Sequence, residues 1–308
     1  MTKITEKLFY DVAYELLWKS YTRVRKDVVE AYKRAYEKET NPISKAQLKV
    51  LLDTIEIGVK EGRVICQDTG TPTFYVAIGS DSGIKLDVEK VLTEVTAKLS
   101  VELPFRHHII NPITGDSPET SVGDGIPVIW YSYLPGADYV EIMAAPRGGG
   151  GAHYWIAPSG CFSLPFETEK SWTHFVEKCI IKNYIEDNYT MGCGPNIVGV
   201  CIGGGNIIQT LQTAWTAVYR RPVGAPHPNP EVAQLERNLC ELYNRFGKGN
   251  TRGLAPGLTN VIAVHVEVLY TRGEEAIGGP IAVTCMCSAL RDERARIYSD
   301  GRVEYLEV

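Results

Sequence analysis

Between Arg63 and Thr71 the chain reads Arg-Val-Ile-Cys-Gln-Asp-Thr-Gly-Thr, so an apolar pair runs directly into a thiol, an amide, a carboxylate, a hydroxyl and a glycine. A buried turn ordinarily avoids neighbours such as Gln67 and Asp68, because a polar group taken from water without a partner costs roughly 1 to 3 kcal/mol. Two readings follow. In one, the Cys66 thiolate holds a metal, Gln67 and Asp68 hold a polar substrate, and Gly70 lets the backbone come close to either. In the other, a structural cysteine is followed by an Asx turn.

On the N-terminal side of this stretch the pattern is helical. Leu8, Val12, Leu16 and Leu17 fall at helical spacing, as do Val28, Val29, Tyr32, Ala35 and Tyr36, and two or three helices are expected up to about Gly62. Thr40-Asn-Pro-Ile-Ser44 breaks the run, with Ser44 the candidate N-cap of a helix carrying Leu48, Leu51, Leu52 and Ile55. Beyond the turn, Phe74–Ile78 reads as a strand, and Asp87 to about Val101 as an amphipathic helix with Asp87 near its N-terminus. A polar loop rich in turn residues runs from Phe105-Arg-His-His108 through Asn111-Pro-Ile-Thr-Gly115 to Gly123-Asp-Gly125. Ile126–Tyr131 and Tyr139–Ala145 read as strands, joined most simply as a hairpin around Leu134-Pro-Gly136.

Four glycines, Gly148 to Gly151, follow Arg147; their amides can face a carboxylate or an inorganic sulfide, or the run can be a flexible linker. A long helix is expected from Glu167 to about Asn188, then Gly192-Cys-Gly-Pro195, a strand over Ile197–Ile202, the glycines Gly203–Gly205 and a helix from about Asn206 to Tyr219. This is not a dinucleotide fingerprint. Its third glycine would fall at Ile208, and Arg220 and Arg221 stand where a ribose-binding acid belongs. A proline-rich connector over Pro222–Pro230, a helix over about Glu231–Arg245, and strands over Val261–Tyr270 and Ile281–Cys287 complete the pattern. The fold class is mixed α/β: a helical N-terminal region over about residues 1–62, then a mixed sheet with helices. The 308 residues, 44% hydrophobic, can bury a real core and read as a single domain.

Net charge is −5 and no basic run is dense enough to follow a phosphate backbone, which argues against nucleic acid as a partner. The longest apolar runs, such as Ile197 to Ile202, fall far short of a membrane span. The N-terminus is charged and amphipathic with no cleavable apolar region, so a cytoplasmic protein is expected. The eight cysteines are too sparse for a disulfide scaffold and lack the spacing of a zinc site. Cys285 and Cys287 would share a face of an extended segment, but so short a bite strains chelation and suits one ligand of the two. Cys161, Cys179, Cys201 and Cys240 lie in helical or apolar surroundings and read as packing. Cys66 and Cys193 instead occupy polar, glycine-containing turns, and Cys287 joins them at the edge of Ser288-Ala-Leu-Arg291.

Arg63–Thr71, Gly192-Cys-Gly-Pro-Asn-Ile-Val-Gly-Val-Cys-Ile-Gly-Gly204 and Pro280-Ile-Ala-Val-Thr-Cys-Met-Cys-Ser-Ala-Leu-Arg291 resemble, in order, the three cysteine blocks of class I fumarase and tartrate dehydratase alpha-type proteins. The resemblance spans nearly the whole chain and takes in Phe105-Arg106, Pro112-Ile-Thr-Gly115, Gly123-Asp-Gly-Ile-Pro127 and the glycines at 148 to 151. It implies an oxygen-sensitive 4Fe-4S cluster in loops at strand ends, with Cys66, Cys193 and Cys287 as its three protein ligands and the fourth iron open. Such an iron acts as a Lewis acid on a 2-hydroxy acid, so that the hydroxyl leaves as water in a reversible hydration. The resemblance gives Gln67, Asp68 and Arg106 catalytic and substrate-binding roles and lines the site with Gly149 and Gly150. Arg106 suits a planar carboxylate because its guanidinium can bind both oxygens.

Some positions depart from the family pattern. Gly-Cys-Gly-Pro replaces Pro-Cys-Pro-Pro around Cys193, Arg147 stands before the glycine run where a Lys is usual, Gly151-Ala152-His153 stands in place of Ser-Glu-Asn after it, and Glu275 stands where a His is usual. A carboxylate at 275, facing the substrate, adds like charge and points to a substrate other than fumarate or tartrate, unless the alignment slips in that turn. The expected protein is the alpha subunit of a hydro-lyase for a small hydroxy-carboxylic acid. Its proton-abstracting base comes from a separate beta subunit, in a hetero-oligomer of two alpha and two beta chains. The rivals are a non-catalytic iron-sulfur or oxygen-sensing protein and a degenerate subunit without a cluster.

Overall fold

The computed structural model describes residues 2–103, 105–106, 109–149, 154–157, 192–246, 257–271 and 280–307. Backbone contacts divide the chain into two compact units, Met1–Arg25 with Asp53–Gly148 and Arg291–Val308, and Lys26–Leu52 with Gly149–Leu290.

Three helices form the N-terminal region: α1 (Glu6–Thr22), α2 (Lys26–Lys38) and α3 (Pro42–Glu61). The Thr5 hydroxyl caps α1 by accepting the Leu8 N–H. The cap of α3 is not Ser44. Asn41 Oδ1 accepts the Ile43 and Ser44 amides at 3.0 and 3.2 Å, with Pro42 at the first helical position, where its missing N–H is no loss.

The first unit is built on a five-stranded sheet of order β2-β1-β3-β8-β9. Its strands are β1 (Thr73–Gly79), β2 (Val128–Leu134), β3 (Tyr139–Ala144), β8 (Glu293–Tyr298) and β9 (Val303–Tyr305). Helices α1 and α4 (Val88–Glu102) lie together on it, with Phe9, Leu16 and Leu17 packed on Leu92, Val95 and Leu99 and on Phe74, Val76, Ile142 and Ile297 of the sheet. Burying each such side chain contributes about 1.5 to 3 kcal/mol. The hairpin expected between β2 and β3 is absent, because β1 lies between them, parallel to β2 and antiparallel to β3. The Leu134–Ala137 turn closes over the end of β1: Ser80 donates to the Leu134 carbonyl at 3.0 Å and Asp81 to the Ala137 carbonyl at 2.9 Å. A Cβ on Gly79 would sit 2.3 Å from that Ala137 oxygen, so the residue ending β1 must be glycine.

The second unit carries a four-stranded sheet of order β4-β7-β5-β6, from β4 (Tyr154–Ala157), β5 (Asn196–Ile202), β6 (Val261–Val268) and β7 (Ile281–Met286). Helices cover both faces, which is why β5 and β7 read as continuous apolar runs. One face, with Val198, Val200, Val266, Val283 and Cys285, packs on Leu235, Leu239 and Tyr243 of α6 (Pro230–Phe246). The other, with Cys201 and Ala282, packs on Ala214 of α5 (Ile207–Ala217). Gly199 permits that approach, since a Cβ there would meet the Ala214 carbonyl oxygen at 2.2 Å. The Pro222–Pro230 connector is tied down. Glu236 accepts the His227 N–H at 2.9 Å, and buried His265 accepts the Gly224 N–H through Nε2 at 3.0 Å while Nδ1 meets the Ala217 carbonyl.

The remaining expected strands and helices that lie on described residues are observed with ends shifted by a few residues. β4, β8 and β9 have no counterpart in the sequence reading. The helix expected over residues 167–188 lies outside the described residues. Among the described residues no helix is long and apolar enough to cross a membrane.

Candidate active site

In the first unit, the Arg63–Thr71 stretch is the turn that carries the chain from α3 into β1. Gly62, at φ 63°, ends the helix, and the Arg63 amide donates back to the Gly58 carbonyl at 3.0 Å. Ile65 is then fixed by its N–H to the Tyr21 carbonyl at 3.1 Å. At the far end Thr71 and Arg147 exchange backbone hydrogen bonds of 2.8 and 3.1 Å. Gly70 has φ 74°, and a Cβ on it would lie 2.4 Å from the Arg147 carbonyl carbon, so the turn has room only for glycine.

Between these anchors the side chains divide. Cys66 and Asp68 are half-buried, Gln67 is exposed, and Thr69 is buried. The Cys66 thiol lies 3.8 Å from Gln67 Oε1. Asp68 Oδ1 accepts the Gly70 N–H at 3.2 Å, which is the Asx turn of the second reading, formed here within the candidate site. A Cβ on Gly148 would lie 2.8 Å from Asp68 Oδ2, so the first glycine of the run lets the backbone close on this carboxylate. Gly149, next along, is exposed.

Arg106 follows Phe105, which is buried against the Tyr21 ring at a centroid distance of 4.2 Å. The Tyr21 residue that anchors Ile65 therefore also seats the start of the loop bearing Arg106, whose own side chain is exposed. Further along, Asn111 Oδ1 accepts the Ile113 and Thr114 amides at 2.9 and 3.1 Å, and the Asn111 N–H donates to the Asp116 carbonyl at 2.8 Å.

In the second unit the Cys193 and Cys287 blocks meet at one end of the antiparallel β5/β7 pair, where Ile197 opposes Met286. The Ser288 N–H donates to the Cys193 carbonyl at 2.8 Å, and the Ser288 carbonyl accepts the Tyr32 hydroxyl at 2.9 Å. Cys193 is exposed and Cys287 is 7% exposed. Asn196 closes the preceding turn through Nδ2 to the Gly192 carbonyl at 3.3 Å; it is fully buried and its Oδ1 has no partner. Among the described residues no three His, Cys, Asp or Glu side chains stand together as a metal-binding group.

The other described cysteines differ in kind. Cys201, Cys240 and Cys285 are unbridged and lie in the apolar packing of the second unit. Burial pushes the Cys201 thiol up to about 12 and the Cys240 thiol up to about 11, so both stay protonated and unreactive at neutral pH. Cys285 points into the core while Cys287, past the end of β7, does not continue the strand. Cys161, Cys179, Gly150, His153 and Glu275 lie outside the described residues.

Sequence reasoning passed over two residues that flank the turn in the first unit, Arg291 and Tyr21. Arg291 is 1% exposed; its Nη2 donates to the Asp68 carbonyl at 3.2 Å and its guanidinium stands 5.5 Å from the Tyr21 ring centroid. Arg291 Nε and Nη1, the Tyr21 hydroxyl and Thr69 Oγ1 are buried without hydrogen-bond partners. Burial drives the Tyr21 phenol well above its usual range, with Asp68 adding to the effect and Arg291 opposing it. The one sequence signal was an arginine at the end of the third cysteine block, in an otherwise apolar run.

A protein-family model described as fumarate hydratase (fumerase) matches residues 10–296. The L(+)-tartrate dehydratase subunit alpha of Escherichia coli strain UTI89 is 29% identical over 288 residues, 92% of this chain and 89% of the relative. That of strain K12 is 28% identical over the same length and shares. A Methanocaldococcus jannaschii protein, named provisionally as the same subunit, is 28% identical over 305 residues, 95% of this chain and 99% of its own.

Proposed function

The chain belongs to the fumarate hydratase family, a family of hydro-lyases, and we propose that it is the alpha-type catalytic subunit of an enzyme that hydrates and dehydrates a small hydroxy-carboxylic acid. In this reading Cys66, Cys193 and Cys287 hold a 4Fe-4S cluster. The donor chemistry fits: Cys66 and Cys193 sit at polar turns and Cys287 lies just past the end of β7, whereas Cys201 and Cys285 are buried in apolar packing and Cys240 is partly buried against it. When bound, a cluster with one open iron supplies Lewis acidity to the substrate hydroxyl and its neighbouring carboxylate.

The chain's own residues bind and orient. Gln67 and Asp68 present an amide and a carboxylate to the hydroxyl end of the acid. Arg106 takes a carboxylate in two-pronged fashion, which fixes the plane of the substrate. Gly149 and Gly150 are assigned to the lining of the substrate site because neither carries a side chain, and Glu275 narrows the choice of acid by its charge. The base that removes the carbon-bound proton comes from a beta chain, in an assembly of two copies of each. The relatives' designation as a subunit alpha supports a partner chain.

The observation that carries the reading is the joint placement of Asp68 and Gly148, with room beside the carboxylate for no side chain at position 148. Purification without oxygen, with and without a beta-type chain, tests it by iron content, visible spectrum and turnover of malate, fumarate and tartrate. The expected result is a cluster in the alpha chain and turnover only in the complex. A cluster-loaded complex that turns over no hydroxy acid would overturn the reading.

A further inference from the structure

Arg291 is among the largest fully buried side chains of the described residues, and the stability of the fold does not account for it. A buried cation contributes to stability only when charge and hydrogen bonds surround it, and replacing one by an apolar side chain of similar volume is often neutral or stabilising. Among the described residues Arg291 meets one backbone carbonyl, that of Asp68, and the face of Tyr21, while Nε and Nη1 have no hydrogen-bond partner. The next residue makes the contrast. Asp292, also buried, is matched by Arg25 at 3.0 Å and Arg294 at 3.5 Å.

Among the described residues, the polar bond that Arg291 makes falls on the backbone of the turn carrying Cys66, Gln67 and Asp68. That turn is anchored at Ile65 and again at Thr71, and the Asp68 carbonyl lies midway between the two. A hydrogen bond from a cation is roughly twice as strong as one between neutral groups. It fixes the peptide plane following Asp68, and with it the direction of the Gln67 and Asp68 side chains. Tyr21 backs the arrangement, since it holds Ile65 through its carbonyl, Phe105 through its ring and the guanidinium over its face.

We propose that Arg291 is a positioning residue that sets the Cys66–Asp68 turn through the Asp68 carbonyl, and that its buried charge is there for the geometry of that turn and not for the stability of the fold. Its effect on turnover rests on the hydro-lyase reading above; its effect on the turn does not.

The test compares Arg291→Met and Arg291→Lys with the parent, using the full chain for hydrogen exchange and thermal unfolding and the complex with the beta chain for kinetics. In Arg291→Met the amides of 65–71 should exchange at least tenfold faster, those of β5 should be unchanged, and the melting temperature should hold or rise. In the complex, kcat/KM should fall more than tenfold with iron content retained. Arg291→Lys, which keeps a cation in reach of the carbonyl, should exchange more slowly than Arg291→Met. Unchanged exchange in the turn overturns the proposal, as does exchange that quickens throughout the unit together with a lower melting temperature, the mark of a merely structural side chain. Lys behaving as Met would overturn the role of the charge. A parent complex without hydratase activity would sink the proposed function, while the exchange comparison would still decide the role of Arg291.

Discussion

At Gly203–Thr210 the polar groups close on one another. The Gly203 N–H donates to the Pro280 carbonyl at 2.8 Å, the Gly203 carbonyl accepts the Thr210 hydroxyl at 2.8 Å, Gln209 Oε1 accepts the Gly205 amide and Asn206 Oδ1 accepts the Gln209 amide. At Cys66–Thr71 the backbone is equally well anchored, but buried polar atoms around it stay unpartnered at Thr69, Tyr21 and Arg291. Both turns contain a glycine at positive φ and adjoin a strand. The difference lies in hydrogen-bond accounting: a turn whose own side chains satisfy its amides is a structural joint, and one that leaves buried donors open is shaped for something else.

The largest expected effect concerns the thiols. Cys66→Ser, Cys193→Ser and Cys287→Ser should each abolish the cluster, read as loss of iron and of visible absorption in protein purified without oxygen. Cys201→Ser and Cys240→Ser should keep both. Cluster loss in the last two, with retention in Cys66→Ser, would reverse the assignment and erase the distinction between turn cysteines and core cysteines.

Next is Gly70→Ala. An alanine at φ 74° costs roughly 1 to 2 kcal/mol in backbone strain, and the 2.4 Å contact of its Cβ with Arg147 forces the turn off the glycine run. Expected are a loss of about 3 kcal/mol in stability and a collapse of kcat/KM. Gly205→Ala in the other turn meets only Gln209 Oε1 at 3.5 Å and should stay within about 0.5 kcal/mol of the parent in denaturant titrations. Equal effects at the two positions would break the comparison.

Arg106→Lys keeps the charge and loses the two-pronged geometry. In the complete enzyme it should leave the cluster spectrum intact and lower kcat/KM by more than about tenfold, equivalent to about 1.4 kcal/mol. Unchanged kinetics would refute the contact with a substrate carboxylate, and a fall in cluster content would make Arg106 a support of the fold.

Local signals were legible where one element's own chemistry decides. Asp87 was readable as the start of a helix because its side chain accepts the Lys90 amide, and the dinucleotide reading could be dismissed from Ile208 alone. What depended on a distant neighbour was not. The cap of α3 is a local exception: Asn41, directly before Pro42, does the capping, and Ser44 was expected instead. The β2/β3 hairpin failed because β1, which ends 55 residues before their turn, takes the place between them, and no property of Leu134-Pro-Gly136 reveals that. The strand β8 alternates charge with Ala295 and Ile297, and its pairing with β3 exists only once the sheet is formed. The cysteine blocks were legible as motifs, but the bond from Ser288 to Cys193 joins residues 95 positions apart in sequence, and the burial of Arg291 beside Asp68 joins residues 223 apart.

The smallest expected effect tests the inert side of the comparison. Asn206 caps α5, with its Oδ1 2.9 Å from the Gln209 nitrogen, and replacing such a cap by alanine costs about 1 kcal/mol. The loss should be confined to stability, because the Gly205 amide keeps its bond to Gln209 Oε1 and Thr210 keeps its bond to the Gly203 carbonyl. Asn206→Ala should therefore shift the urea midpoint downward without changing the slope of the transition, and below its melting range kcat/KM of the complex should stay within about twofold of the parent. A tenfold fall in kcat/KM with the midpoint unmoved would mean that the amides at the start of α5 face a ligand after all. The closed hydrogen bonds of Gly203–Thr210 would then no longer distinguish a joint from a site, and the open donors around Cys66–Thr71 would lose their value as a marker of function.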